Sequence, residues 1–600
     1  MANNKDIISL EEASNLAELF QVRVKRTPDK VAYRYFDSAL EQWIDITWSQ
    51  MADHVARWQE ALRNEDFEPG DRVALMVNNC PEWVMFEQAA IGLGLVVVPL
   101  YTNDRAENIA YILDDANVKL LFLQNNDQWQ MLKSTLEGRS HVRRIVGFEY
   151  FSEASDERLM TVDDWLPDPI EPYTHSVSRV HKTTLATIVY TSGTTGKPKG
   201  VMLSHGNILW NANSPLDSVA VYDSDEFLSF LPLSHMLERT AGYYLPMMSG
   251  ATVSYARSIE QLAEDLVTIK PTVLVTVPRI FERVYNKIQS QLSQKSPIAR
   301  YLFNSAVNVG WHRFKRQQHK AAWHPKLIFW PILYLLVGKK IMQKLGGSMR
   351  LAVSGGAPLA HDVARTFIGL GLTITQGYGL TETSPVISVN KLEDNEPASV
   401  GQPLRDVEVK LGENDELLVR SPGVMIGYWN NEEATREMID ADGWLRTGDK
   451  VKIESDHIYI TGRLKEILVL SNGEKVPPAD IEMAITKDPL FDQVLVIGEA
   501  KPFLSAIIVL NPGEWTLLAK SLKCDPDEKN LNTESVQNAV KERIANCMHD
   551  FPGYARIYAV HNTLEPWTIE NGAMTPTLKQ RRAPIIEKYS DAIQEMYEGH

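Results

Sequence analysis

The chain has 600 residues, of which 44% are hydrophobic and 23% charged, a composition that suits a folded globular protein and excludes a mainly disordered, collagen-like or disulfide-scaffold chain. Against 61 Lys and Arg stand 77 Asp and Glu, for a formal charge of −16, so a chain-wide nucleic-acid-binding charge is absent and no nucleic-acid partner is expected. Cys80, Cys524 and Cys547 are the three cysteines; they follow no metal-ligand spacing and make no disulfide framework, as in a reducing compartment.

At ~100–200 residues per domain, this length holds at least two domains. Met1 to Asp6 is polar and lacks the apolar centre of a signal peptide. No apolar run reaches the ~18–20 residues that cross a bilayer. A cytoplasmic protein is expected.

In chain order, the first half alternates helix and strand. Met51, Val55, Trp58 and Leu62 recur at helical spacing, and Val73 to Val77 reads as a buried strand. Pro81 opens an apolar helix through Ile91, followed by a strand at Leu95 to Pro99. Ala106 to Leu113 and Val118 to Leu123 repeat the pair. This repetition predicts an α/β fold of stacked, mostly parallel sheets with helices on their faces, and ligands at the carboxyl ends of the strands. Beyond about residue 400 hairpins take over, in a β-subdomain. Val407 to Leu411 and Glu416 to Arg420 flank a Gly-Glu-Asn-Asp turn, and His457 to Thr461 ends another short strand. After Arg463 the order is β-β-α-β-β-α, with strands at Val494 to Ile497 and Ser505 to Leu510 and a helix at Val536 to Asn546. The change sets a boundary near Gly462, giving a large N-terminal domain, 1–461, and a small α+β C-terminal domain, 462–600.

One region departs from the average composition. From Arg283 to His361 the chain carries 13 Lys or Arg and no Asp or Glu, where about ten acids would be expected. Within it lies the 11-residue apolar run Leu327 to Val337, bracketed by Lys326 and by Lys339 and Lys340. Two readings stand side by side. One is a buried helix with solvated basic flanks, interrupted at Pro331. The other, spanning 311–344, is peripheral contact with the inner face of a membrane, cations meeting anionic headgroups and Trp330 and Tyr334 at the boundary.

The strongest chemical signal is LATIVYTSGTTGKPKG, Leu185 to Gly200. A hydrophobic strand enters a loop of Thr191, Ser192, Gly193, Thr194, Thr195 and Gly196, followed by Lys197 and Lys199. Glycines let backbone N–H groups approach a phosphate, while hydroxyls and ammonium groups add donors and charge. The spacing departs from a Walker A loop, because only Thr194 and Thr195 separate Gly193 from Gly196 and Lys197, and Pro198 follows.

With this loop the chain resembles the AMP-forming acyl-activating superfamily, whose members include acyl-CoA synthetases, luciferases and peptide-synthetase adenylation domains. Further similar motifs follow in order: SGGAPL at Ser354 to Leu359, QGYGLTET at Gln376 to Thr383, WLRTGD at Trp444 to Asp449, GRLKE at Gly462 to Glu466, and NGAMTPTLKQRR at Asn571 to Arg582. LPLSHMLER at Leu231 to Arg239 and the long insert between VPRIFERVY and SGGAPL look most like the long-chain fatty-acid–CoA ligases.

The resemblance implies activation of a long-chain fatty acid by ATP and transfer to CoA, with Mg²⁺ on the phosphates. Thr191 and Glu382 are implied as metal ligands, and Lys579 as the catalytic ammonium of adenylation. The 191–199 loop is implied to grip the β- and γ-phosphates. Tyr378 is implied to stack on adenine, with Gly355, Gly356 and Gly377 closing around the base and Gln376, Gly379 and Thr381 completing that nucleotide segment. Asp449 is implied to accept from the ribose hydroxyls, aided by Arg463. A mobile C-terminal domain follows from the same resemblance, with Lys465 at its hinge and Gly473 bordering the CoA arm. His235, Leu237, Tyr243 and Tyr244 are candidates for the acyl pocket, where the stretch after LPLSHM carries no tryptophan gate. Two other readings stay open: delivery of the acyl group to a separate carrier protein, and a non-catalytic adenylate or lipid sensor.

Overall fold

The computed structural model describes every residue except 1–5, 152–155, 170–173, 178–179, 192–196, 465, 472–473, 550, 578 and 599–600. Among the described residues two large sheets form the N-terminal part. In the first, the parallel strands Arg72–Met76, Val96–Pro99 and Leu185–Thr191 lie side by side, and Lys199–Ser204 folds back antiparallel on the last. In the second, Val273–Thr276, Leu351–Ser354 and Ile374–Gly379 run parallel, with Val386–Val389 antiparallel beside them and Gln402–Pro403 at the edge. Both sheets therefore end in turns at the carboxyl ends of parallel strands.

Local chemistry fixes the helices that cover them. Thr47 and Gln50 close a capping box that starts the helix Trp48–Arg63, and Met51, Val55, Trp58 and Leu62 form its buried face. Pro81 opens the helix Pro81–Gly92, in which every residue from Trp83 to Gly92 is buried between the sheets. A four-stranded antiparallel sheet follows, from Glu408–Leu411 to His457–Arg463. Its first turn places Asn414 and Asp415 in the left-handed region, where Asn and Asp are tolerated.

Residues from Leu468 onward pack a core of their own around Phe491–Ile497 and Leu504–Leu510. The sequence reading lacks the third strand here, Ile557–Thr563, which pairs parallel with Leu504–Leu510 after a helical crossover. Its partner is distant in sequence and its own burial alternates irregularly, so the short segment carries little local strand signal.

The basic apolar run is neither a single helix nor a buried one. It breaks into the 3-10 turn Pro325–Phe329, the helix Trp330–Leu333 and the π-turn Tyr334–Gly338. Trp330 and Tyr334 are half-buried, with their rings packed against Gly310, Gly338 and Gly371. Among the described residues no helix is long and apolar enough to cross a membrane.

Candidate active site

Antiparallel register builds the first part of the site. Asp449 in Leu445–Glu454 stands directly opposite Arg463 in His457–Arg463. Arg463 Nε donates to Asp449 Oδ1 at 2.9 Å, and the Asp449 N–H donates to Thr447 Oγ1 at 3.1 Å. The carboxylate is buried, and from the neighbouring sheet the Tyr378 hydroxyl donates to its Oδ2 at 2.5 Å. Burial, with the Asp449 charge beside it, holds the Tyr378 phenol well above its usual pKa, so it acts as a donor. A carboxylate offers about four lone-pair sites. Two are used here, and the others suit the vicinal hydroxyls of a sugar.

The strand carrying Tyr378 bulges between Tyr378 and Gly379. Any side chain at Gly379 would place its Cβ 1.8 Å from the Pro385 carbonyl oxygen, so the bulge requires glycine. Gln376 is buried, and its amide is consumed in bracing: it accepts from Leu359 N at 3.0 Å and donates to the Pro397 carbonyl at 2.6 Å. Its influence on the site therefore runs through the Ser354–Leu359 loop. Within that loop Gly355 lies against Leu237, whose Cδ2 is 3.2 Å from where a Cβ would stand, while Gly377 borders the same face. Gly356 takes φ +80°, a left-handed conformation.

The turn Thr381–Thr383 presents Glu382. Asn211, fully buried on the helix His205–Asn213, clamps this turn by donating to the carbonyls of Thr383 and Val386 and accepting from Val386 N. Tyr428 donates its hydroxyl to Glu382 Oε1 at 2.8 Å. The Tyr428 ring in turn lies 5.1 Å from the Lys199 ammonium, and Lys199 is the cross-strand partner of Thr191. Thr191, Lys199, Tyr428 and Glu382 thus gather at the mouth of the loop, with Lys197 over the Tyr111 ring at 5.0 Å. Ser192, Gly193, Thr194, Thr195 and Gly196 lie outside the described residues, as do Lys465 and Gly473. With Glu382 Oε1 taken by Tyr428, its other carboxylate oxygen and the Thr191 hydroxyl are the groups that would suit a hard cation such as Mg²⁺. Tyr428 and Asn211 were not legible as site residues. Tyr428 reaches Glu382 only through strand pairing with Val201, for which the local sequence carries no signal.

Lys579 arrives from the far end of the chain. Its N–H donates to Thr575 Oγ1 at 3.0 Å, and its carbonyl accepts from Thr575 N at 2.8 Å, closing a tight turn. The side chain keeps open surface. Burial of the ammonium, reinforced by Arg463, lowers its pKa, while Asp449, Glu466 and Glu382 pull it back upward. Lys579 acts on His235 in turn. Burial, with the Lys579 charge, pushes His235 down to about 4, so its imidazole is neutral near pH 7, with Nδ1 accepting from Leu237 N at 3.2 Å. One electrostatic neighbourhood therefore joins Lys579, Arg463, Asp449, Glu382 and His235.

The acyl-pocket candidates divide. His235 and Leu237 are half-buried beside Gly355. Tyr243 and Tyr244 instead belong to the core: both are fully buried, their rings are stacked at 4.2 Å, and Gln88 donates to the Tyr243 hydroxyl. The π-turn Arg239–Tyr244 aims them at the helix Pro81–Gly92, where Arg239 also pairs with Glu87 and donates to Thr187 Oγ1 at 2.8 Å.

Residues 20–429 match the family model of AMP-binding enzymes, and residues 465–600 match that of the AMP-binding enzyme C-terminal domain. A long-chain-fatty-acid–CoA ligase, FadD15, of Mycobacterium bovis is 30% identical over 98% of this chain and 97% of its own length. A chloroplastic long-chain-fatty-acid–[acyl-carrier-protein] ligase of Arabidopsis thaliana, AEE15, is 27% identical, covering 97% of this chain and 86% of its own. Among solved structures, the adenylation domain of a carboxylate reductase from Mycobacterium chelonae superposes with a TM-score of 0.78 at 20% identity, over 98% of this chain and 91% of that one.

Proposed function

The chain belongs to the AMP-binding enzyme family, and we infer that it is a long-chain fatty-acid–CoA ligase. It activates the acid with ATP to an acyl adenylate, then forms the CoA thioester and releases AMP. The observation that carries this reading is the convergence of Tyr378, Asp449, Arg463, Glu382 and Lys579, drawn from four separate stretches, on one face.

The chemistry sets what each group does. A carboxylate resists nucleophiles because of its charge and because oxide leaves poorly. In the first step its oxygen attacks the α-phosphorus of ATP; the P–O bond to pyrophosphate breaks and pyrophosphate departs with the electron pair. Two anions meet in that step, so positive charge and orientation lower its barrier. Tyr378 stacks on the base, Asp449 accepts from both ribose hydroxyls, and Arg463 holds Asp449 in place. Lys197 and Lys199 meet the outer phosphates, and Lys579 sits between carboxylate and α-phosphate. Thr191 and Glu382 would hold Mg²⁺, which supplies charge neutralisation on the phosphate oxygens.

In the second step the CoA thiol, its proton released to solvent, attacks the acyl carbonyl; the bond from the carbonyl carbon to the phosphate oxygen breaks and AMP departs with the electron pair. No enzyme cysteine takes part. The residues from 462 onward form the mobile unit, which turns after adenylation about Lys465 so that the segment with Gly473 borders the thiol arm. The acyl chain enters beside His235 and Leu237, whose neutral and apolar groups present no charge to it.

The test is pyrophosphate release from ATP and palmitate, followed by acceptor-dependent AMP release with either free CoA or an acyl carrier protein. Release with palmitate and thioester formation on CoA support the reading. Transfer to the carrier alone would reassign the acceptor, and no release with any acid would leave a sensor.

A further inference from the structure

The apolar run at 327–337 has two apolar faces, and the fold covers one of them. Trp330, Leu333 and Val337 pack with Phe303, Val307 and Leu370 in a small core. Ile328, Phe329, Ile332, Leu335 and Leu336 point the other way, at the i, i+1, i+4, i+7, i+8 spacing of a helical face. The first four are 57–67% exposed. Together the five leave on the order of 500 Å² of apolar surface open, at the upper end for a monomer.

The platform beneath this face is firm. Gly310, on the helix Pro297–Gln317, has no room for a side chain: a Cβ would lie 1.8 Å from the Gly369 carbonyl oxygen and 2.4 Å from the Trp330 ring. Gly369 ends the helix His361–Gly369, which begins just after the Ser354–Leu359 loop of the nucleotide site. The exposed face is thus bolted to the site through backbone contact.

Charge identifies what the face meets. Lys326, Lys339 and Lys340 are exposed at its ends, within 79 residues that hold 13 cations and no acid in a chain of net charge −16. Lys320 is already paired with Asp394 and Glu396, and the three platform lysines form no ion pair among the described residues. A second copy docked face to face across a two-fold axis would set these lysines near their own equivalents, an arrangement that like charges disfavour. We propose that residues 323–340 form a docking surface for an anionic lipid leaflet, Ile332 and its neighbours entering the acyl boundary while the lysines meet headgroups. The platform thereby holds the site against the phase in which long-chain acids dissolve; this consequence rests on the proposed activity, whereas the docking itself does not.

The experiment measures partition of the purified full chain onto vesicles of equal parts phosphatidylcholine and phosphatidylglycerol, and onto phosphatidylcholine alone, for wild type, Ile332→Ser/Leu335→Ser and Lys339→Gln/Lys340→Gln. Wild type should partition to the anionic vesicles, and less so as salt rises. Loss of two lysines should weaken that partition about 25-fold, at about fivefold per cation, and the serine pair should weaken it on the order of tenfold or more. Both variants should keep wild-type pyrophosphate release with octanoate while losing turnover of palmitate carried in vesicles. Absent octanoate activity in wild type would strike the enzymatic reading alone. Absent partition, partition unchanged in both variants, or a dimer that the serine pair dissolves would overturn the docking surface.

Discussion

Lys579→Ala removes an ammonium that the fold brings from the C-terminal end to the nucleotide site. At an effective dielectric of about 20, an ammonium ~4 Å from charge building on the phosphoryl oxygens contributes about 4 kcal/mol. That equals about 10³-fold in rate. Solvent beside the open side chain reduces it, so adenylation should fall by about 10²–10³-fold, the range typical of one lost electrostatic donor. Thioester formation from supplied palmitoyl adenylate and CoA should change less than about threefold, because the mobile unit that carries Lys579 turns after adenylation and takes the ammonium out of that step. The assay pairs palmitate-dependent pyrophosphate release with thioester formation on the same preparations. The pH profile adds a second reading. Burial and Arg463 lower the pKa of Lys579, so the active ammonium is present at low pH and is lost, as pH rises, earlier than in an ordinary lysine. Adenylation should show that declining limb, and Lys579→Arg, which stays charged, should lack it at whatever residual rate it has. Equal loss of both half-reactions, or an identical limb in the arginine variant, would refute the reasoning.

Three other outcomes follow from the geometry. Glu382→Gln should raise the Mg²⁺ needed for half-maximal pyrophosphate release by about tenfold or more, and Tyr428→Phe by a smaller factor, since it removes one hydrogen bond to a charged group; a Mg²⁺ titration reads both. Arg239→Leu leaves Glu87 buried without its partner and should cost about 3–5 kcal/mol in urea unfolding, much of it recovered in the double variant with Glu87→Gln. Glu238 is buried, which raises its pKa to about 8. The fold then keeps a proton that the unfolded chain releases above about pH 4.3, so this contribution to stability is complete below that pH and is lost as pH rises to about 8. Melting of Glu238→Gln against wild type at pH 5 and pH 8.5 should show a gap that grows in the variant's favour at the higher pH.

The parts of this molecule that were legible in sequence are those whose determinants are local. Pro81, Thr47 and the spacing of Met51, Val55 and Trp58 announce their helices, and the run Leu185 to Thr191 announces the strand that feeds the phosphate loop. The motif residues Tyr378, Asp449 and Arg463 do come together. What was hidden depends on partners distant in sequence. Tyr428 meets Glu382 only because Gly427–Tyr428 pairs with Lys199–Ser204. Ile557–Thr563 becomes a strand only through Leu504–Leu510. Tyr243 and Tyr244 read as pocket residues from their neighbours; the π-turn sets Tyr243 against Gln88 and Trp83 and stacks Tyr244 on it. Trp330 reads as an interfacial aromatic, yet its half-buried ring packs against Gly310.

The central claim is that separate segments hold one adenine nucleotide with its ribose on Asp449. The most direct measurement is a crystal structure of the protein grown with palmitoyl adenylate or a non-hydrolysable mimic. The account predicts the base against Tyr378 and the Ser354–Leu359 loop, both ribose hydroxyls on the Asp449 carboxylate, and the Lys579 ammonium at the acyl phosphate. A nucleotide bound elsewhere, or one whose ribose leaves Asp449 with only Tyr378 and Arg463 as partners, would contradict it.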